Sequence, residues 1–182
     1  MRKILIETER LTAGKFLSED YNDLAEILAD PDVTFFEPYP TFTKEACVPE
    51  AAKFAQSEEF FAVLLNGKVI GKIWFAKRDA GTYELGYTFH SAFQGKGYAA
   101  ESLRGFLQYA FTQCNVRRVI AEIDSRNVKS VHLAERLGMR REAFHKELFP
   151  DKNNPAQYND FYIYAILQKE FAGAESKGGA SV

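Results

Sequence analysis

The chain is poor in cysteine: Cys47 and Cys114 are its two cysteines, far apart in the sequence and in no spacing typical of a metal site. A disulfide framework and a cysteine-ligated zinc site are therefore not expected. No apolar run approaches the roughly 20 residues that a membrane-spanning helix needs. The residues Met1 to Lys3 lead into only a short apolar run and do not resemble a secretory signal. We therefore expect a soluble protein of the cytoplasm that does not enter membranes.

The chain also lacks an excess of positive charge, since 23 Lys and Arg residues face 25 Asp and Glu residues, for a net charge of −2. A broad basic surface for nucleic acid is therefore not expected. The three histidines, His90, His132 and His145, have no ligand-like partners in the sequence, which argues against a metal site. The chain is 46% hydrophobic and 26% charged, as is typical of a globular protein.

Hydrophobic periodicity and turn signals predict a mixed sheet with helices on its faces, an α/β fold in a single domain over residues 1–172. Asn66-Gly67 is a strong two-residue hairpin signal, because both positions tolerate a positive φ. The small, polar segment 173–182 is predicted to be disordered. We predict strands over 11–17, 60–65, 68–77, 82–89, 118–123, 141–148 and 161–167, and helices over 18–30, 43–57, 99–113 and 127–137.

The segment from Phe93 to Leu103 joins a predicted strand to a predicted helix through Gly95 and Gly97. A glycine-rich turn that opens a helix presents unpaired N–H groups at the positive end of the helix dipole, where phosphate binds readily. The pattern G-x-G-x-x-A also fits a dinucleotide fingerprint, although a meander of strands precedes it instead of a first βαβ unit. A Walker-type P-loop is excluded, because a glycine follows Lys96 where Ser or Thr is required.

The same segment, written Gln94-x-x-Gly97-x-Ala99, resembles the acetyl-CoA-binding signature of the GNAT superfamily of N-acetyltransferases. Two further segments resemble its RimJ/RimL-type branch: Asn127-x-x-Ser130 with the later Glu135-x-Leu137-Gly138, and Asp160-x-x-x-Tyr164. The three segments occur in the family's order, and the resemblance covers roughly residues 8–171. It implies a mostly antiparallel sheet of about seven strands flanked by about four helices.

The resemblance implies acetyl-CoA as the donor and assigns residues to hold it. The pantetheine arm would pair with the strand backbone from Tyr87 through Thr88 to Phe89, and Asn127 would contact the pantetheine or acetyl end. The pyrophosphate would rest on the glycine loop, where a close backbone approach and a nearby cation suit a multiply charged anion. The loop residues so assigned are Gln94, Gly95, Lys96, Gly97, Tyr98 and Ala99.

Acetyl transfer needs a base for the amine and an acid for the departing thiolate. We expect Glu84 to act as the base, directly or through water, with Glu147 as the alternative. Most members of the superfamily place a tyrosine acid seven residues after the asparagine, but this chain has Ala134 there. The resemblance to RimL-type members points instead to Ser130 as the proton source.

The expected function is therefore transfer of acetyl from acetyl-CoA to a primary amine, by direct attack in a ternary complex. The acceptor is a protein N-terminus or a small molecule, and its groove is expected between 35–42, Glu84 and 150–157. Two alternatives stay open at this point: a non-catalytic acyl-CoA sensor and a dinucleotide-binding oxidoreductase. The resemblance also allows a homodimer, for which no residue of the sequence gives direct evidence.

Overall fold

A computed structural model describes residues 1–171 of the chain, and the predicted disordered segment 173–182 lies outside them. The strands within these residues are β1 (Ile4–Glu7), β2 (Thr12–Lys15), β3 (Phe60–Leu65), β4 (Lys68–Asp79), β5 (Thr82–Phe89), β6 (Arg118–Asp124), β7 (Arg140–Pro150) and β8 (Tyr158–Leu167). The helices are α1 (Tyr21–Leu28), α2 (Pro31–Thr34), α3 (Cys47–Gln56), α4 (Tyr98–Gln113) and α5 (Val128–Arg136).

The strands follow the hydrogen-bonded order β1-β2-β3-β4-β5-β6-β8-β7. The pairs β1–β2, β2–β3, β3–β4, β6–β8 and β7–β8 are antiparallel, whereas β5 and β6 run parallel. The predicted mixed, mostly antiparallel fold with helices is confirmed. The described residues hold eight strands and five helices, one more of each than predicted. The two additional elements, β1 and α2, are each four residues long.

The described chain divides into two compact units, and β4, β5 and α4 each contribute residues to both. The first unit comprises residues 1–75 and 86–106. There, α1 and α3 bury their apolar faces against β3 in a cluster that includes Phe16, Ile27 and Phe54. Phe61 of β3 and Phe75 of β4 both contact the ring of Phe106 of α4, with ring centroids 5.0 and 5.1 Å apart.

The second unit comprises residues 76–85 and 107–171 of the described chain. In it, β6 pairs with β8 from Arg118 opposite Leu167 to Asp124 opposite Phe161. Helix α5 ends as predicted at Gly138, whose φ of 83° and whose N–H bond to Glu135 close the last turn. The expectation that both units form a single domain stays a prediction. No helix among the described residues is both long and apolar enough to cross a membrane.

Candidate active site

The glycine loop opens α4 in the first unit, as predicted. Gly95 and Gly97 have φ values of 74° and 83°, a region that glycine enters at little cost. The N–H of Glu101 bonds to the carbonyl of Gly97 at 3.0 Å, so the N–H groups of residues 98–100 precede the helical ladder. A Cβ on Gly95 would meet no atom within 4 Å. The loop therefore combines N–H groups that have no acceptor in the helical ladder with open space beside Gly95, which fits a phosphate group.

Two side chains of the loop donate hydrogen bonds to backbone carbonyls that precede them in the chain. The amide Nε2 of Gln94 donates to the carbonyl of Phe89 at 3.0 Å, which ties the loop to the end of β5. Lys96 Nζ donates to the carbonyl of Ala92 at 2.9 Å and lies 5.6 Å from the ring centre of Phe93. The predicted loop residues and the predicted strand positions are thus joined directly through Gln94.

Side-chain contacts fix the end of β5 within the first unit. The ring of Phe89 packs so closely on Gly71 that a Cβ there would lie 2.5 Å from the ring. The buried Thr88 donates its hydroxyl proton to Glu37 Oε1 at 3.0 Å. The predicted pairing of a pantetheine arm with the backbone from Tyr87 to Phe89 stays a prediction.

A buried lysine at the middle of β4 is a feature that sequence reasoning missed. Lys72 is 4% exposed, and its Nζ donates to the hydroxyl of Tyr39 at 2.7 Å and lies 3.7 Å from Glu37 Oε2. Aromatic rings surround the ammonium, with ring centres at 4.8 Å for Tyr39 and 5.9 Å for both Phe54 and Phe60. The signal in the sequence is a lysine flanked on both sides by apolar residues of the strand, from Val69 to Trp74.

Burial has the largest effect on the pKa values of Lys72 and Tyr39. It lowers the pKa of Lys72, although the carboxylates of Glu37 and Glu50 oppose the shift. It also raises the pKa of Tyr39, and the nearby Glu37 adds to that rise. Glu37, in the segment 35–42 that is expected to line the acceptor groove, lies between the ammonium of Lys72 and the hydroxyl of Thr88. These contacts tether the segment to β4 and β5.

Glu84 lies in the second unit, on the first half of β5. It is 7% exposed and forms an ion pair with Arg78 of β4. Burial raises the pKa of Glu84, the hydrogen bond from Arg78 opposes that rise, and Glu122 adds to it. A carboxylate with a raised pKa suits a general base, and Arg78 limits how far the pKa climbs.

Asn127 and Ser130 lie together at the start of α5 in the second unit. Asn127 is the N-cap, and its Oδ1 accepts the N–H of Ser130 at 3.2 Å. This is the local capping role that asparagine often has in this position. The amide oxygen of Asn127 thus accepts one hydrogen bond within the protein, and its Nδ2 group is a donor that a ligand could use.

An open polar cleft of about 680 Å³ lies in the second unit, beside the β7–β8 connection. Glu147, the alternative base, lines it with a φ of 51°, and its N–H donates to Asp160 Oδ1 at 2.8 Å. Arg126 at the same cleft pairs with Asp124 at 2.7 Å and Asp151 at 3.7 Å. The lining residues are Ser125, Arg126, Glu147, Ala156, Gln157, Tyr158, Asn159 and Asp160.

The predicted site residues thus fall into two groups. The residues assigned to the donor over 87–89 and 94–99 belong to the first unit, whereas Asn127, which is also assigned to the donor, belongs to the second unit together with Glu84 and Ser130. Among the described residues there is no group of three or more His, Cys, Asp or Glu side chains that could hold a metal ion.

Comparison with known proteins identifies the family. A model of an acetyltransferase (GNAT) domain matches residues 10–140. The uncharacterized N-acetyltransferase YnaD of Bacillus subtilis (strain 168) is 35% identical over 170 residues, covering 91% of this chain and 98% of YnaD. The crystal structure of a GNAT-family acetyltransferase from Bacillus anthracis superposes with a TM-score of 0.85 and 34% identity, covering 93% of this chain and 100% of the other.

A more distant solved structure is that of RimL, a ribosomal L7/L12 α-N-protein acetyltransferase, in complex with coenzyme A. It superposes with a TM-score of 0.80 over 91% of this chain and 98% of that one. At 15% identity this likeness shows the fold alone. The chain belongs to the GNAT family of acetyltransferases, and it is an enzyme that transfers an acetyl group to an amine. The comparisons support neither the non-catalytic sensor nor the oxidoreductase.

Proposed function

We propose that the enzyme takes its acetyl group from acetyl-CoA, with the pyrophosphate on the loop from Gln94 to Ala99. The observation that carries the proposal is the cradle at the start of α4: two glycines at positive φ, three N–H groups ahead of the helical ladder, and open space beside Gly95. The positive end of a sixteen-residue helix favours an anion there. The pantetheine arm would lie along the backbone from Tyr87 through Thr88 to Phe89.

We further propose Glu84 as the group that removes a proton from the acceptor amine, directly or through a water. Bound acetyl-CoA would supply a thioester, whose C–S bond breaks as the new C–N bond forms. Ser130 would pass a proton to the departing sulfur and regain one from solvent. A lysine amine, with a pKa of about 10.4, needs this base far more than an N-terminal α-amine of about 7.7–8.0.

On the acceptor side, the polar cleft beside the β7–β8 connection supports a groove that includes the loop over 150–157. Its carboxylates, Glu147 and Asp160, suit an ammonium group before deprotonation. We place the enzyme in the RimJ/RimL-like branch, with a protein N-terminus or a small-molecule amine as acceptor. The Asn127-x-x-Ser130 and Asp160-x-x-x-Tyr164 segments support this placement. A cytoplasmic location and a homodimer stay predictions.

A coenzyme A release assay across N-terminal peptides, lysine peptides, polyamines and aminoglycosides tests the proposal. We expect acetyl-CoA-dependent release with one of these classes, and a mass increase of one acetyl group on its amine. Binding of acetyl-CoA without release in any class would contradict the proposed acceptors. Stabilisation of the fold by NADPH but not by coenzyme A would contradict the donor.

A further inference from the structure

Arg10 contacts the glycine loop and the first turn of α4 at the same time, all within the first unit. It lies in the connection between β1 and β2, and its Nη1 donates to the carbonyl of Lys96 at 3.2 Å. Its Nε donates to Glu101 Oε2 at 2.7 Å, and its guanidinium stacks over the ring of Tyr98 at 4.6 Å. Its backbone N–H also donates to Glu101 Oε1 at 2.9 Å.

The bond to Lys96 determines where the next N–H group points. In a trans peptide the carbonyl and the following N–H lie in one plane and point in opposite directions. Because Arg10 holds the carbonyl of Lys96, the N–H of Gly97 is directed away from Arg10. Gly97 is the glycine at which the loop turns into the helix, with a φ of 83°. Arg10 thereby fixes the orientation of a peptide unit at the centre of the cradle.

The contact with Glu101 neutralises a negative charge that lies next to the cradle. Glu101 is an acidic residue in the first turn of α4, where its negative charge would repel a bound diphosphate. Burial alone would raise the pKa of Glu101, but hydrogen bonds from Thr8 and Arg10 outweigh it and keep the carboxylate ionised. Thr8 donates to Oε1 at 2.6 Å, and Arg10 Nη2 lies 2.6 Å from Oε2. The carboxylate is thus neutralised locally.

We propose that Arg10 is a positioning residue for the diphosphate of the donor. It orients the peptide between Lys96 and Gly97 and neutralises Glu101, with its Nε, Nη1 and Nη2 atoms each in contact with an oxygen atom of the protein. This inference rests on the proposed function, since it assumes that the loop binds the pyrophosphate. A planar guanidinium can bond to a carbonyl and a carboxylate together, which a lysine ammonium does less well.

The test compares two donors on the Arg10→Ala variant: acetyl-CoA and S-acetylpantetheine, which carries the acetylated thiol arm but no diphosphate. With acetyl-CoA we expect KM to rise about tenfold or more, as for the loss of a charge-assisted hydrogen bond. The value of kcat should stay within about twofold, because the lost contact does not involve the reacting atoms. With S-acetylpantetheine, kcat/KM should equal that of the parent enzyme. Arg10→Lys should recover part of the affinity.

Arg104→Ala serves as the matched control, since it removes an exposed positive charge from the same helix; it should leave both donors unaffected. An equal loss with both donors, or no loss with acetyl-CoA, would overturn the inference. If Arg10→Ala does not fold, the same comparison is made with Arg10→Lys, whose kcat/KM should fall with acetyl-CoA and not with S-acetylpantetheine. Failure of the parent enzyme to bind acetyl-CoA would refute the proposed function itself, whereas normal binding by parent and Arg10→Ala alike would refute only the role of Arg10.

Discussion

The hydroxyl of Tyr164 donates a hydrogen bond of 2.9 Å to Oε1 of Glu135, which joins β8 to α5 within the second unit. Tyr164 is 1% exposed, and burial followed by the contact with Glu135 raises the pKa of its hydroxyl. The two residues belong to the two segments that resemble the RimJ/RimL branch. Their pairing gives these segments a structural reason to occur together, independent of catalysis.

Tyr164→Phe should therefore weaken the fold and spare the chemistry. The lost hydrogen bond should lower the free energy of unfolding by about 0.5–1.5 kcal/mol, measured by urea unfolding. Acetyl-CoA KM and kcat should stay close to those of the parent enzyme. Tyr162→Phe, on the same strand, is the control. A large fall in kcat with unchanged stability would show that Tyr164 takes part in proton transfer.

If Glu84 is the base, its ion pair with Arg78 sets the acid limb of the pH–rate profile. A base must be deprotonated, so kcat/KM falls as the pH drops below its pKa, and burial places that pKa above the ordinary 4.5. Arg78→Met removes the hydrogen bond that lowers the pKa and should move the limb to higher pH. Arg78→Lys should move it less.

Glu84→Gln provides the complementary measurement, since it should lower kcat/KM and abolish the limb. Persistence of the limb in Glu84→Gln, with no shift in Arg78→Met, would assign the base to another group. In that case the corresponding profile of Glu147→Gln tests the alternative.

Ser130→Ala should lower kcat more than it changes the KM for acetyl-CoA, because the hydroxyl would act only as the thiolate leaves. The cap of α5 should survive, since Asn127 accepts the backbone N–H of residue 130. Asn127→Ala removes the cap and should cost roughly 1 kcal/mol of stability. An unchanged kcat in Ser130→Ala, in an enzyme whose chemical step is rate-limiting, would remove the serine from the mechanism.

The buried Lys72 should make stability depend on pH in a defined direction. Because burial lowers its pKa in the folded chain, the unfolded chain binds more protons between that pKa and the ordinary 10.5. The parent enzyme should therefore gain stability relative to Lys72→Met as the pH rises through this window. Urea unfolding of both proteins at several pH values measures the difference, with the exposed Lys77→Met as control.

At neutral pH the same Lys72→Met change should destabilise the fold by roughly 1–3 kcal/mol, because it leaves the carboxylate of Glu37 without its cation. Adding Glu37→Gln should recover part of that loss. A pH-independent difference between parent and variant would show that Lys72 titrates as in solution.

Features that depend on local chain chemistry could be predicted from the sequence. Asn66-Gly67 forms the expected hairpin turn, with φ values of 50° and 85°, because both residues tolerate that region. The positive φ at Gly97 and the closing turn at Gly138 follow from the same property of glycine. The predicted helix start at Thr43 is wrong, since α3 begins at Cys47. Thr43 Oγ1 instead accepts the N–H of Ala46 in the turn that precedes the helix.

Pairings between distant residues could not be predicted in this way. Lys72 meets Tyr39 across 33 positions, and Arg10 meets Glu101 across 91, so no local period reports either contact. The ion pair between Glu84 and Arg78 depends on how the turn between β4 and β5 places two strand positions side by side. The sequence therefore indicated which residues could take part in catalysis, whereas the fold determines which charged neighbours shift their pKa values.

The most direct test of the account is titration of acetyl-CoA into the parent enzyme and into Gly97→Glu by calorimetry. Gly97 has a φ of 83°, which disfavours any side chain, and an added carboxylate would repel the diphosphate. We predict clear binding by the parent and none by the variant, with the variant folded by circular dichroism. Equal affinity of the two proteins for acetyl-CoA would contradict the assignment of the loop as the donor site.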